Sequence, residues 1–235
     1  MLRIHDLGTL AYSRTTPQQV ALKDAVRASR HEDDFLIFVE HEPVITLGRS
    51  WEGGNLLLSE DKYRELGFEV HKVSRGGDVT YHGPGQLVAY PVFHLSRHGK
   101  DIHKFLSNLE EVSIRVLASY GLPGERKEGM TGAWSKGRKV CAIGVAISGW
   151  VSYHGLAFNV NPDMKHFGLI VPCGIREYPV GSLSELVGKD VPMSEVRERF
   201  IDSFKEVFAQ TEHTYTNDTE TGKLSCLDEE GHISV

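Results

Sequence analysis

Two side chains in this sequence are suited to nucleophilic chemistry. Cys173 stands in Pro172-Cys173-Gly174, where proline and glycine would hold a thiol on a defined bend with room around it. A thiolate there can attack a carbonyl carbon if a positive neighbour favours its ionisation. Lys139 opens the otherwise apolar run to Ile147, and by period-two alternation it shares a face with Cys141, Ile143, Val145 and Ile147. If that face turns inward, the lysine enters an apolar cleft, where an amine sheds its proton more easily and can act as a base. The residues also have plainer readings. A lone cysteine is commonly a buried, inert hydrophobe, and a lysine at a strand start is commonly the end of an exposed hairpin. Cys141 is a rival thiol, two residues from Lys139 but among apolar neighbours, and Cys226 lies in a polar stretch near the end.

A second cluster is the run Arg75-Gly76-Gly77-Asp78-Val79-Thr80-Tyr81-His82-Gly83-Pro84-Gly85-Gln86-Leu87. It reads as two tight turns around one short strand. Glycine turns let backbone approach a ligand and aim N–H groups at an oxyanion, and Arg75, Tyr81 and His82 are candidates to line the same cleft. Two ordinary hairpin turns would have a similar composition. The run lacks the Gly-Lys-Ser/Thr ending of a phosphate loop. His82 and His154 each precede a glycine beside the candidate cleft strands. The tightest group among the 12 histidines, His94, His98 and His103, has no metal-site spacing, so no metal is expected.

These residues need a scaffold, and the hydrophobic pattern outlines one. Thr16-Pro17 predicts an N-cap and a helix from Pro17 to Arg30, with Val20, Ala21, Ala25 and Val26 near one face. Strands are expected at Phe35–Val39, Val44–Leu47, Phe68–Val73, Asp78–Tyr81 and Gln86–Phe93, with a short helix from Ser59 to Leu66 stopped by Gly67. Asp101 should cap a helix to Tyr120 whose inward stripe is Ile102, Phe105, Leu109, Val112, Val116 and Tyr120. Met130 to Val160 predicts a β-meander with turns at Ser135–Arg138 and Ser148–Trp150. A last helix, Ser194 to Ala209, should turn Val196, Phe200, Phe204 and Val207 inward. The segment from Thr211 reads as polar and loose. Strands joined mostly by hairpins, without a βαβ rhythm, indicate an α+β fold with a mixed, largely antiparallel sheet flanked by helices. One domain over residues 1–210 with a polar tail over 211–235 is the simplest division.

Composition narrows the function classes. The chain has 235 residues, 40% hydrophobic and 25% charged, with a net charge of -6, which argues against nucleic-acid binding. No apolar run reaches the roughly 20 residues that span a bilayer, and Met1-Leu2-Arg3-Ile4-His5-Asp6 has neither secretory nor transit character, so no membrane association and a cytoplasmic location are expected. Three cysteines without a Cys-x-x-Cys pair suggest neither a disulfide framework nor a zinc knuckle. Arg126-Lys127 and Lys136-Gly137-Arg138-Lys139 are locally basic, as solvated loops or as a docking patch for an acidic protein.

Four blocks together resemble the octanoyltransferases of lipoate biosynthesis: His41 to Arg49, Arg75 to Gln86, Lys139 to Gly144 with His154 to Val160, and Pro172-Cys173-Gly174-Ile175. The resemblance implies a biotin/lipoate protein ligase-like fold and no cofactor. It implies octanoyl-acyl carrier protein as donor. The acceptor would be a lysine of the lipoyl domains of 2-oxoacid dehydrogenases or of the glycine cleavage H protein. It assigns Cys173 as the acyl-thioester nucleophile, Lys139 as the residue that favours its ionisation, and substrate binding to Arg75, Gly76, Gly77, Asp78, Val79, Thr80, Tyr81, His82, Ala142, Ile143, Gly144, His154, Gly155, Leu156 and Ala157. Val79, Ala142, Ile143 and Leu156 are the expected walls of an octanoyl slot, and Gly76–Gly77 or Gly174 the expected oxyanion donors. The sequence departs from the family pattern at Glu42, Cys141 and Gly181, where Pro, Ala or Ser, and Thr are usual. An ATP-dependent lipoate-protein ligase, an octanoyl amidotransferase and a non-catalytic acyl-protein binding module are the alternatives.

Overall fold

The computed structural model describes residues 1–28, 32–171 and 179–233. The alternating and wholly apolar runs pair into an eight-stranded sheet. Its strands are β1 (Leu2–Leu10), β2 (Asp34–His41), β6 (Gln86–Val92), β7 (Glu125–Lys127), β8 (Met130–Ser135), β9 (Arg138–Ser148), β10 (Val151–Asn159) and β11 (His213–Asn217). Their order is β11-β1-β2-β6-β10-β9-β8-β7, with β1 parallel to both its neighbours and the other pairs antiparallel. A smaller sheet has β3 (Val44–Leu47) between β4 (Glu69–Lys72) and β5 (Val79–His82). The α+β class with a mixed, mostly antiparallel sheet is as the sequence predicts.

Helices cover both faces of the large sheet. On one lie α3 (Ile102–Ser119), N-capped by Asp101, and α5 (Met193–Val207), joined to the sheet by Phe93, Phe105, Leu109, Val112, Phe158, Phe200 and Phe204. On the other, α1 (Tyr12–Ala28) packs Leu22 and Val26 against Phe35, Ile37, Val88 and Val92. The short helix α2 (Glu60–Glu65), capped by Ser59, puts Tyr63 into a third cluster with Ile45, Leu47, Phe68, Val79 and Tyr81. A fifth helix, α4 (Leu183–Val187), opens with a capping box between Ser182 and Glu185. Among the described residues, no helix is long and apolar enough to cross a membrane.

Several expectations need correction. The first helix begins at Tyr12, with Pro17 inside it, and the expected end at Arg30 lies outside the described residues. Thr16 is no cap: its hydroxyl donates back to the Tyr12 carbonyl. The first turn is closed by Glu69 of β4, whose carboxylate accepts from the Ser13 N–H and hydroxyl, a partner that local sequence cannot reveal. The buried face is Tyr12, Thr15, Gln19, Leu22 and Val26, while Val20 is exposed. Ile102 is exposed too, because it occupies the first position of α3, beyond the edge of its packing. Strand β1 went unread in the sequence.

The segment after Thr211 is not loose. Strand β11 pairs with β1 over Leu2–Asp6, Asp218 holds His5 at 2.8 Å, and Tyr215 donates to Asp6. Leu224 and Cys226 are buried against the α1 side of the sheet, and Gln18 bonds both Gly222 and Leu224. A few apolar residues in a polar stretch are enough to dock it once β1 offers an edge.

Candidate active site

The site is a cleft between the face of β9 and β10 and the small sheet. The Arg75–Gly77 turn is pinned on two sides. Residues 48–50 donate backbone hydrogen bonds to Asp78, Arg75 and Gly77, and the Gly76 N–H donates to the Val145 carbonyl at 2.9 Å. This approach needs a bare backbone at Gly144, where a Cβ would stand 2.9 Å from the Gly76 carbonyl and 3.2 Å from the Arg75 side chain. Gly77 supplies the turn with a φ of 82°.

The inner part of the cleft is lined by Arg75, Gly76, Gly77, Thr80, His82, Lys139, Ala142, Ile143, Gly144, His154, Gly155, Leu156 and Ala157, together with Tyr12, Val88 and Tyr90. It holds about 50 Å³ of space. A wider chamber of about 380 Å³ adjoins it and shares Gly76, Gly77, Lys139, Ile143 and Gly144. Asp78 lines that outer chamber with Ser50, Leu106, Met130 and Thr131. Alternation in β5 turns Thr80 and His82 toward the cleft. Val79 and Tyr81 are turned the other way, into the core of the small sheet, so neither lines the cleft. The Tyr81 hydroxyl meets His166 Nδ1 at 2.8 Å instead.

Lys139 reaches the cleft by a route the alternation did not predict. Ala133 pairs with Cys141 but Trp134 pairs with Lys139, so Val140 is an extra residue in β9, a β-bulge. The bulge reverses the facing on one side of it. Lys139 therefore lines the cleft with Ala142 and Gly144, while Val140 and Cys141 both point into the core under α3. The Cys141 thiol lies 3.3 Å from the Ser113 hydroxyl, and burial pushes its pKa up to about 12, so it is not a ready nucleophile. The half-buried Lys139 ammonium lies 5.5 Å from the Trp134 ring centre. Gly132 in the next strand makes room for it: a Cβ there would stand 2.6 Å from Lys139 Cε.

Cys173, the expected nucleophile, lies outside the described residues, as does Gly174. The described residues on either side of 172–178 are both tied to the cleft. The Lys139 N–H donates to the Pro179 carbonyl and the Gly181 N–H to the Lys139 carbonyl, each at 3.0 Å. On the other side, the Val171 N–H donates to the carbonyl of Asn55, whose side chain bonds the Asp78 carboxylate.

Behind the cleft is a buried polar layer. Arg75, 7% exposed, donates to the Thr46 hydroxyl and carbonyl and to the Gly76 carbonyl. His41 bridges the Leu10 carbonyl and the Tyr90 hydroxyl, at 2.9 and 2.6 Å. His154 contacts the Tyr12 and Ser74 hydroxyls at 3.4 and 3.2 Å. Its φ of 55° is unusual for a non-glycine residue within a strand, and Gln19 receives its N–H. Burial lowers the pKa of His41 to about 4. Burial lowers His82 to about 3, with His41 and Arg75 adding to the effect, and it lowers His154 to about 4 with help from Arg75. All three imidazoles are thus neutral near pH 7. Tyr12, Tyr90 and Gly132 were missed in the sequence. Gly132 and Tyr12 carry no local signal, although Tyr90 shares its strand face with Val88.

Of the four expected docking cations, Arg126 is held by Glu110 and Glu111, and Lys127 stacks on Trp134 at 4.5 Å. Arg138 is exposed, 3.9 Å from Glu185, and Lys136 is exposed at the β8–β9 turn with a φ of 48°.

The scaffold is that of the lipoate ligases. It superposes on lipoate-protein ligase A bound with ATP with a TM-score of 0.72 at 19% identity, covering 93% of this chain and 90% of that one. The bipartite lipoate protein ligase of Thermoplasma acidophilum gives 0.71 at 18% identity, with 93% and 88% covered. At these identities the likeness concerns the fold. Residues 15–205 match the lipoyl protein ligase A/B catalytic domain, and the chain belongs to that family. Its curated relatives include octanoyltransferases from Caldanaerobacter subterraneus subsp. tengcongensis, 46% identical over 86% of this chain and 88% of the relative, and from Chloroflexus aurantiacus, 47% identical over 88% and 94%. The octanoyltransferase of Nostoc punctiforme is 52% identical over 75% of each.

Proposed function

We propose that this chain is an octanoyltransferase that works through an acyl-cysteine. The donor is octanoyl-acyl carrier protein, and the acceptor is a lysine of a lipoyl domain, in 2-oxoacid dehydrogenases or the glycine cleavage H protein. The observation that carries the reading is the position of Lys139. It stands where a narrow slot walled by Ala142, Ile143, Leu156, Ala157 and Val88 meets an open chamber, and its backbone holds Pro179 and Gly181 beside residues 172–178.

In this mechanism Lys139 takes the Cys173 proton, or holds the thiolate as an ion pair. The thiolate attacks the octanoyl thioester, and the ammonium of Lys139 returns a proton to the departing thiolate. Exchange of one thioester for another is nearly isoenergetic, so no ATP is needed. The acceptor amine then attacks acyl-Cys173 and gives a proton to Lys139, which passes it to the departing cysteine sulfur and so restores the thiol and the neutral amine. Because the Gly76 N–H is already spent on Val145, the oxyanion falls to the Gly77 N–H of that pair or to Gly174. Docking of the acidic partners falls to Lys136 and Arg138.

Incubation with octanoyl-acyl carrier protein, without ATP or magnesium, should add one octanoyl group to the intact protein, localised to Cys173 by peptide mapping. Lys139→Ala should slow that step severely. Full transfer by Cys173→Ser, or a strict need for ATP, would end this reading.

A further inference from the structure

Two of the elements that wall the outer chamber run out of it to one surface patch. Leu106 of α3 and Val145 of β9 line the chamber. One turn before Leu106, α3 begins at Ile102, and five residues after Val145 comes Trp150 in the β9–β10 turn. There the Lys100 ammonium lies 4.8 Å from the Trp150 ring centre. Leu95 ties both backbones, accepting from the Lys100 N–H and donating to the Trp150 carbonyl. Ile102 and Trp150 are 38% and 36% exposed. Trp150 is an uncommon occupant of its turn. The φ angles of Gly149 and Trp150 are 58° and 66°, a hairpin conformation that asparagine and glycine adopt at least cost, so the turn itself gives no reason for an indole. The patch is basic in a chain of net charge -6. Lys100 and Lys104 pair with no carboxylate among the described residues. Arg27 lies against Gly149, where a Cβ would stand 2.6 Å from its Cδ. The acids beside these cations are Asp101, whose carboxylate caps α3, and Asp24, 3.8 Å from Arg27.

We infer that this patch docks the acyl carrier protein that brings the octanoyl group. The inference rests on the donor named above. An acidic protein surface meets Arg27, Lys100 and Lys104 and covers Ile102 and Trp150, which gives an aromatic anchor inside a charged rim. Reach selects the donor over the acceptor. The patch lies beyond the Val145 end of the chamber, and Lys139 is rooted six residues before Val145, about 20 Å along β9. An acceptor lysine spans about 6 Å from its Cα, too short a distance from here. The donor's thioester hangs on a phosphopantetheine arm of about 18 Å, which matches the length of the chamber. The Lys136–Arg138 turn steers both partners from the opposite end of β9, whereas the contacts at Ile102 and Trp150 belong to the donor.

Charge and apolar contact are tested separately. One variant combines Lys100→Glu with Lys104→Glu, and the other is Trp150→Asn, a residue that tolerates the positive φ. Acylation is followed by intact mass with two donors, octanoyl-acyl carrier protein and octanoyl-pantetheine, which carries the thiol end of the arm without the protein. In each variant KM for the carrier protein should rise roughly tenfold or more at low salt, with kcat unchanged. For the charge reversal the rise should shrink at high salt. Acylation by octanoyl-pantetheine, and transfer from the acyl-enzyme to apo-lipoyl domain, should keep wild-type rates. An unchanged KM for the carrier protein in both variants would overturn the inference. An equal fall with octanoyl-pantetheine would assign the patch to the fold, and an equal fall in transfer to the lipoyl domain would assign it to both partners; either ends the inference. A wild-type protein that neither donor acylates removes the acyl-enzyme reading alone. Titration with fluorescently labelled octanoyl-acyl carrier protein then decides the docking: weaker binding by both variants supports it, and wild-type affinity in both overturns it.

Discussion

Acidification from pH 7 to 5.5 should destabilise this protein through three buried neutral histidines, two that line the inner cleft and one behind it. His41, His82 and His154 have native pKa values of about 4, 3 and 4 against an ordinary 6.5. Between those limits the unfolded chain binds protons that the native state does not, so stability rises with pH and is lost as pH falls below 6.5. At pH 5.5 an unfolded histidine is mostly protonated while each native one is still mostly neutral, and the change from pH 7 is about 1 kcal/mol or a little more per residue. The three together amount to roughly 4 kcal/mol, against a typical total stability of about 5–15 kcal/mol. The carboxylates with lowered pKa values, Glu69, Glu111, Glu195 and Asp228, lose their contribution only below their ordinary values of 4.5 and 3.8, outside this interval. The buried Tyr81 and Cys141, both pushed up to about 12, act on the alkaline side. Urea unfolding at pH 7, 6.25 and 5.5 measures the slope. His82→Gln should remove about a third of it whatever it does to stability at pH 7. A stability that is flat across the interval, or a slope unchanged by His82→Gln, would refute the argument.

Gly155→Ala should cost about 3 kcal/mol or more, because its Cβ would run into the Ala89 carbonyl and stand 2.7 Å from Pro91 Cδ. Denaturant midpoints test this against Gly168→Ala, where nothing lies within 4 Å and no loss is expected. Cys141→Ala should keep octanoyl transfer at the wild-type rate and lose only about 1 kcal/mol, and maleimide should leave native Cys141 unlabelled by peptide mass spectrometry. Truncation after Gln210 uncovers the β1 edge and removes Leu224, Cys226 and the His5–Asp218 pair. Stability should fall by about 3 kcal/mol or more, and an unchanged unfolding midpoint would refute the docked role of that segment.

What local sequence carries, it carried here. Asp101 and Ser59 cap the helices they precede, and Gly67 follows the short helix with a φ of 84°. The alternation from Met130 onward yields the three-stranded meander with its turns in place. The glycine block reads as a close-approach turn, and it is one. These features depend on hydrogen bonds and side-chain facing within a few residues, and type and spacing report both.

What tertiary structure alone decided has partners distant in sequence. The bulge at Val140 is set by pairing with β8, and it separates Lys139 from Cys141 although their spacing places them on one face. Glu69 starts the first helix from another sheet, Tyr12 and Tyr90 meet His154 and His41 across the fold, and β1 recruits a polar segment more than 200 residues away. A register shift or a long-range polar contact leaves no mark on local periodicity, because its energy comes from a surface that exists only once the rest of the chain has folded.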